Sequence, residues 1–389
     1  MAFALFVSCK EDQELGSILP ISSIDPVENF DWDIECYEYI PLETNSDIML
    51  SGIDKILVSK SYYYVLDTKS NFGLFLFDKK GKFVRTVSSK GRGPREFLYI
   101  ADFDIDKIGN MYLFDKERKN ILKFDSLGNF KEEITHGLFT TNFAHVNDDD
   151  FIFFQKGRHQ IERDLQNDLI LWNKKNKIKS TYFPYTARSI PYGSFSSFYK
   201  SGEKLYYCNY FGNNIYEIVD GNPRLVYHLD LGEFYPSDEL FDYVNIKPSV
   251  DKIRKDYYCN LSNYYETENL VTFRINKRNR RLMCFLWKGK QDFYIVDLSE
   301  NRNRIDITYH FSPSNIIGVD EDYFLTSMMP YVFSRLKKAK KNGFLEIKDE
   351  KLNEIIDNMD LKDNPIIIKF KYNSNYENKV NSYHIAHIN

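Results

Sequence analysis

Apolar residues in this chain come in short runs, each closed by Gly, Asn, Asp or Pro, and few runs are long enough for a helix. Asp102-Phe-Asp-Ile-Asp106 is followed by Gly109-Asn-Met-Tyr-Leu-Phe-Asp115 and then by Ile121-Leu-Lys-Phe-Asp-Ser-Leu-Gly-Asn-Phe130. Runs of this length between turn residues predict short antiparallel strands. The punctuation also repeats. Tyr64-Val-Leu-Asp67 returns as Tyr112-Leu-Phe-Asp115, and Phe77-Asp-Lys-Lys-Gly-Lys-Phe83 returns as Phe124-Asp-Ser-Leu-Gly-Asn-Phe130. A period of roughly 40–50 residues built of strands is the pattern of propeller blades. Each unit is a small twisted sheet that buries its faces only by stacking on its neighbours. In the Phe-Asp-x-x-Gly-x-Phe block, Asp and Gly shape a tight turn and the Phe residues are expected in the core between blades. Asp67 and Asp115 are expected to end their strands by accepting backbone N–H bonds.

Extended along the chain, the pattern predicts an all-β fold. It is a six-bladed β-propeller of four-stranded antiparallel blades with short helical insertions, spanning residues 32–373. Blade one falls at about 47–89 and blade two at about 97–136. Strands at 151–154 and 169–173 mark blade three, and those at 204–208, 214–219 and 224–229 mark blade four. Residues 233–268 change period and predict two short helices capped by Ser237 and Ser249. Blade five holds runs at 270–273, 282–287 and 292–297. Blade six begins near 316–326, is interrupted by a helix carrying Leu352, Ile355, Ile356 and Met359 on one face, and resumes at 364–370. The strand at 34–44 is expected to complete the last blade, which removes an exposed edge and locks the ring. Residues 374–389 are polar and are expected to fray as a C-terminal tail.

Gly91-Arg-Gly-Pro-Arg-Glu-Phe97, Gly109-Asn-Met-Tyr-Leu-Phe-Asp115 and Phe124-Asp-Ser-Leu-Gly128 resemble the six-bladed β-propeller lipoproteins of the Bacteroidetes type, themselves similar to NHL-repeat propellers. The resemblance is close over residues 62–134. It implies the fold and a cell-surface setting, and it carries no defined catalytic residues.

The N-terminus suits that setting. Residues 1–8 are apolar and resemble the truncated end of a lipoprotein signal, which makes Cys9 the expected lipidation site. Lys10-Glu-Asp12 resembles the export signal that follows the lipidated Cys in outer-membrane surface lipoproteins. Residues 9–31, with Pro20 and Pro26, read as anchor and tether. The expected address is the outer membrane, at the cell surface and held through lipid.

Composition narrows the chemistry. Aromatic residues make up 16% of the 389 residues, which favours strands and large packed interfaces. A net charge of −4 gives no global basic field, so no nucleic-acid partner is expected. The five cysteines include no C-x-x-C pair, and the seven histidines include no i, i+4 pair, so no metal site is expected. The Lys337-Lys-Ala-Lys-Lys341 run reads as a solvated helix face. No nucleophile elbow, phosphate-binding glycine loop or zinc-protease helix occurs.

Two stretches remain as binding candidates. Arg92 and Arg95 could grip a carboxylate, sulfate or phosphate, or else pair with neighbouring acids. The loop around 180–200 breaks strand pattern and offers Tyr185, Arg188 and Tyr192, with Tyr210 nearby. Aromatic faces beside polar groups suit a sugar ring. The reading is a surface-anchored binding module for a glycan, a peptide or an outer-membrane partner protein, without catalysis and without a cofactor. The alternative is a hydrolase or lyase with a Ca²⁺-dependent site of Asp, Glu and His in the central channel.

Overall fold

The computed structural model describes residues 16–28, 34–46, 48–69, 73–155, 166–189, 197–242, 244–290, 292–299, 315–373 and 383–384. Their strands form six separate antiparallel sheets, in chain order around a ring. The chain is a six-bladed β-propeller.

Blade one contains Lys55–Val58, Tyr62–Asp67, Gly73–Asp78 and Phe83–Thr86 from axis to rim. Blade two contains Ile100–Ile105, Met111–Asp115, Asn120–Phe124 and Phe130–Thr135. Blade three runs from Asn142–His145 to Lys177–Pro184, and blade four from Phe198–Ser201 to Asn222–Leu229. Blade five begins with Tyr258–Glu266 and its fourth strand is Asp292–Asp297. Blade six has Gly318–Asp320, Tyr323–Met328 and Ile366–Tyr372 from the C-terminal part, and Ile34–Pro41 closes its rim. The closing strand pairs Tyr37 with Phe370 and Tyr39 with Ile368, as expected for a ring locked by its own beginning.

The aromatic residues sit between blades. Tyr112 and Phe114 of blade two pack with Phe143, Phe151, Phe153 and Trp172 of blade three, all buried. Each such ring contributes about 1.5–3 kcal/mol through burial. The repeated turn behaves as its sequence dictates. Asp78 Oδ1 accepts from the Lys80 N–H at 2.8 Å, and Asp125 Oδ1 accepts from the Leu127 N–H at 3.0 Å. Gly81 has φ +83°, and a Cβ there would lie 2.2 Å from the Pro41 carbonyl oxygen of the closing strand. Only glycine therefore fits both the turn and the lock.

Asp67 and Asp115 do accept backbone N–H bonds. Asp67 takes Ser51 N–H at 2.7 Å, and Asp115 takes Leu98 N–H at 2.6 Å. Each carboxylate thus ties the second strand of its blade to the loop that enters that blade.

Four expectations are corrected. Ser17–Leu19 is not tether: it pairs in parallel with the rim of blade four, with Leu19 and Ile21 fully buried, because its apolar side chains cover that blade's outer edge. The insertion after blade four ends earlier than 268. Ser237 precedes a short 3-10 turn, and helix α1 spans Ile246–Asp256 with Ser249 inside it, not at its cap. The next residues form the inner strand of blade five, since apolar side chains there pack on blade four. Blades four and five carry a fifth strand each, so not every blade is four-stranded. Within the C-terminal tail, Tyr383–His384 adds to blade five beside Asp292 and Phe293. The apolar residues Leu352 and Ile356 lie buried on helix α3 (Glu350–Asn358), against α2 (Pro330–Lys341). Lys338, Lys340 and Lys341 fall in the last turn of α2, where cations suit the helix dipole.

Candidate functional site

The antiparallel order gives the ring two faces. Turns between first and second strands, and between third and fourth strands, lie on the lower face. Among the described residues, loops between second and third strands and crossings between blades lie on the upper face. Every helix among the described residues therefore decorates the upper face.

Ion pairs link the inner strands of blades one, two and four around the axis. The Lys55 ammonium of blade one lies 2.7 Å from Asp102 Oδ1 and 2.7 Å from the Phe103 carbonyl oxygen. The Lys200 ammonium of blade four reaches across to Asp104 Oδ1 and the Ile105 carbonyl oxygen, both at 2.6 Å. Burial alone would raise the Asp104 value, but Lys200, Lys55 and the His145 N–H together hold it below the usual carboxylate range. Among the described residues no group of three or more Asp, Glu, His or Cys converges as metal ligands would.

A buried polar cluster lies off the axis toward the upper face, where blades three and four meet. Its origin is a change in the repeat. The position held by Asp67 in blade one and Asp115 in blade two is Gln155 in blade three and Asn209 in blade four, as the strand registers show. Among the described residues neither amide accepts from the loop that enters its blade as Asp115 does, and Asn209 Oδ1 accepts only from the Phe211 N–H, at 3.1 Å. Asn209 Nδ2 instead donates to Asp168 Oδ2 at 2.9 Å, and the Tyr207 hydroxyl donates to the same oxygen at 3.3 Å. The Ser189 side chain also bonds Asp168. Tyr185 donates its hydroxyl to Gln155 Oε1 at 3.2 Å, and the Gln155 Nε2 group is buried with no partner among the described residues. Gln155 and Asp168 are 4% and 6% exposed, while Tyr185 and Asn209 are half-buried. Burial pushes the Asp168 carboxyl up to about 7, and the bonds from Asn209, Tyr207 and Ser189 offset only part of that.

Tyr185, Arg188 and Tyr210 come together on this part of the upper face. Arg188 pins its loop to the insertion before blade five. Its Nε lies 2.8 Å from Asp238 Oδ1, its Nη2 donates to the Pro236 carbonyl oxygen at 2.5 Å, and its guanidinium lies 4.1 Å from the Tyr235 ring. The Tyr210 hydroxyl accepts from Arg254 Nη2 at 2.9 Å, joining α1 to blade four. Tyr192 lies outside the described residues.

Arg92 and Arg95 stand apart from that group, in the crossing between blades one and two. Both are exposed and neither has an ion pair among the described residues. Arg95 has φ +73° and its guanidinium lies 5.8 Å from the Phe130 ring. The loop is held by its own backbone: Gly91 N–H donates to the Phe97 carbonyl at 2.9 Å, and Gly93 N–H donates to Glu96 Oε2 at 2.7 Å.

Gln155, Asp168 and Asn209 were not among the residues singled out from sequence. The signal lay in the repeat itself, as amides standing where the first two blades carry Asp. A model of the family described as "Domain of unknown function (DUF4934)" matches residues 26–371, nearly the whole ring. The chain belongs to the DUF4934 family.

Solved structures match this DUF4934 propeller over most of its length. A Bacteroides fragilis protein, named as an exported protein, is 18% identical, covers 89% of this chain and 98% of its own, and superposes with a TM-score of 0.74. A DUF4221 family member from Bacteroides vulgatus is 9% identical, with 88% and 98% covered and a TM-score of 0.54. These two likenesses are of fold. A virginiamycin B lyase from Staphylococcus aureus is 12% identical, with 87% and 99% covered and a TM-score of 0.42.

Proposed function

We propose that this DUF4934 propeller is a binding module of the cell surface, held through lipid on Cys9, that takes a glycan at the polar cluster where blades three and four meet on the upper face. The buried Gln155 amide, which has no partner among the described residues beside the Asp168 carboxyl, carries the reading. A buried donor left unmade costs about 1–3 kcal/mol, so a ligand that accepts from it gains that much. Sugar hydroxyls both donate and accept, and can serve Gln155 Nε2, Asp168 and Asn209 at once. Tyr185, half-buried beside Gln155, supplies an aromatic ring suited to a sugar. A peptide or an outer-membrane partner protein would engage a wider area of the same face, including the exposed Arg92 and Arg95. The address is supported by the lipoprotein-like N-terminus and by a similarly folded protein whose name describes it as exported.

The test is a glycan array with the wild-type chain and with Gln155→Ala and Asn209→Ala. Enriched glycans lost in both variants, with melting unchanged beyond a few degrees, support the reading. A folded wild-type chain that retains no glycan overturns it.

Asp168 favours a second reading, a hydrolase or lyase. A carboxyl still protonated near neutrality can donate a proton to a leaving group. Product release from a bound polysaccharide, abolished by Asp168→Asn, would establish it. The calcium form of this reading places its site on the axis, where the Lys55 and Lys200 ammoniums already neutralise Asp102 and Asp104. Turnover that rises with added Ca²⁺ would support that form.

A further inference from the structure

The lower-face turn between the third and fourth strands of blade five departs from the repeat. Strand Leu270–Lys277 pairs with Arg280–Trp287, and the register sets Trp287 opposite Leu270. In blade one the residue opposite Tyr62 is Asp78. Leu270 and Tyr62 hold matching places, since the Leu270 carbonyl accepts from the Thr267 N–H at 2.9 Å and the Tyr62 carbonyl from the Ser59 N–H at 3.0 Å. Trp287 therefore stands where blade one carries its turn Asp. Asp78 Oδ1 accepts from the Lys80 and Lys82 N–H groups at 2.8 and 2.9 Å. An indole has only a donor and cannot hold a turn in that way.

The indole lines a cavity instead. A space of about 290 Å³ lies on the lower face between blades five and six. Its inner wall is Leu270, Trp287, Phe324 and Tyr372, all buried and part of one apolar cluster. Glu35, Lys290, Asp322 and Lys371 surround that wall, the first two exposed and the last two half-buried. The Lys371 ammonium lies 2.8 Å from Asp322 Oδ2. Asn269 and Gly289, both exposed, complete the mouth from the two lower-face turns of blade five. A Cβ on Gly289 would meet nothing within 4 Å.

This lining selects a ligand class. Two carboxylates and two ammoniums leave the charged groups balanced, so neither a free anion nor a free cation is favoured. A wholly apolar ligand would strip water from the Lys371–Asp322 pair and return no bonds. A hydroxylated ring meets both demands. Its C–H face covers aromatic side chains, and its hydroxyls donate to the carboxylates and accept from the ammoniums and the Asn269 amide. The volume stands at the small end of ligand sites, which span about 300–1,000 Å³, and suits one sugar ring or two.

We propose that the cavity between blades five and six is a second binding site, for a neutral sugar. It lies on the opposite face from Gln155 and does not need that residue. The departure of Trp287 from the repeat and the balanced charges around it are separate observations that point to the same ligand.

The experiment is equilibrium dialysis of the full chain against radiolabelled methyl glycosides of glucose, galactose and mannose, with methyl glucuronide and inorganic phosphate as charged probes. Indole fluorescence is followed in parallel. The variants are Gly289→Tyr, which fills the cavity from an exposed turn, Asn269→Ala, Trp287→Phe and Gln155→Ala, each checked by melting temperature. The expected result is saturable binding of at least one neutral glycoside with a change in indole fluorescence. Affinity should fall about ten-fold or more in Gly289→Tyr and Asn269→Ala, and stay unchanged in Gln155→Ala. The fluorescence change should vanish in Trp287→Phe. No binding of any neutral glycoside, tighter binding of glucuronide or phosphate, or undiminished binding in Gly289→Tyr overturns the proposal. Binding lost in Gln155→Ala but kept in Gly289→Tyr removes this site and leaves the upper-face reading standing, and the reverse pattern does the opposite.

Discussion

Asn209 donates from blade four to Asp168 of blade three, 2.9 Å across the boundary between them. The bond exists because Asn209 stands where earlier blades carry an Asp bound to its own loop. It joins two neighbouring sheets at a carboxyl that burial has pushed up to about 7.

That carboxyl sets a pH dependence. Its value in the folded chain lies above the ordinary 3.8, so the folded state holds the proton more tightly. Below the ordinary value both states are protonated and Asp168 costs nothing. Stability then falls as pH rises from about 4 to about 7, because the unfolded chain ionises freely and the folded one does not. Melting temperature measured across this window should decline more steeply in the wild type than in Asp168→Asn. Parallel profiles would remove Asp168 as the cause.

The Lys200–Asp104 pair has the opposite sign. The Asp104 value is held low in the folded state, so its contribution is complete above the ordinary 3.8 and is lost as pH falls through the folded value. Lys200→Met leaves a buried carboxylate without its closest cation and should cost about 3–5 kcal/mol in urea unfolding at pH 7. Adding Asp104→Asn to that variant should recover part of the loss, since no uncompensated charge remains.

Asp115→Ala strips the acceptor from the Leu98 and Tyr99 N–H groups at the entrance to blade two. The expected loss is about 1–3 kcal/mol for each donor left unmade. Amide exchange at Leu98 and Tyr99 should accelerate more than at residues of the rim strand, which would separate loosening of the entry loop from global destabilisation.

Arg92→Ala and Arg95→Ala should leave stability within about ±0.5 kcal/mol, as for exposed side chains without ion pairs. If this loop contributes to a partner surface, binding of an acidic ligand should weaken in both variants, and should weaken in the wild type as salt is added.

Leu19→Ala probes the strap along blade four. Leu19 is fully buried, so truncation should cost about 2–5 kcal/mol locally. Protease cleavage between residues 16 and 28 should become faster before the ring itself unfolds.

The repeated blocks made the blade architecture legible because each turn needs its Asp and Gly and each strand end needs its acceptor. Closure was legible from a strand-like run lying before the first repeat. The inner strand Tyr258–Glu266 was hidden by two register shifts, with Asn260 and Asn263 at positive φ, which break the alternation a strand normally shows. Ser17–Leu19 was hidden by its brevity and its flanking Pro20. Of the polar cluster, Tyr185 was visible from composition. Asp168 was not, because its environment depends on Asn209 and Ser189 from other parts of the chain.

The lock between first and last strands has a consequence for biogenesis. Leu50 N–H donates to the Asn364 side chain at 2.7 Å, between residues 314 positions apart. Contacts of that sequence separation are slow to form, and blade six has no rim until both ends of the chain are present. A ribosome still holding the C-terminal strands thus holds a molecule that has not yet committed to its final shape, and passage through a narrow conduit would meet a pliant thread.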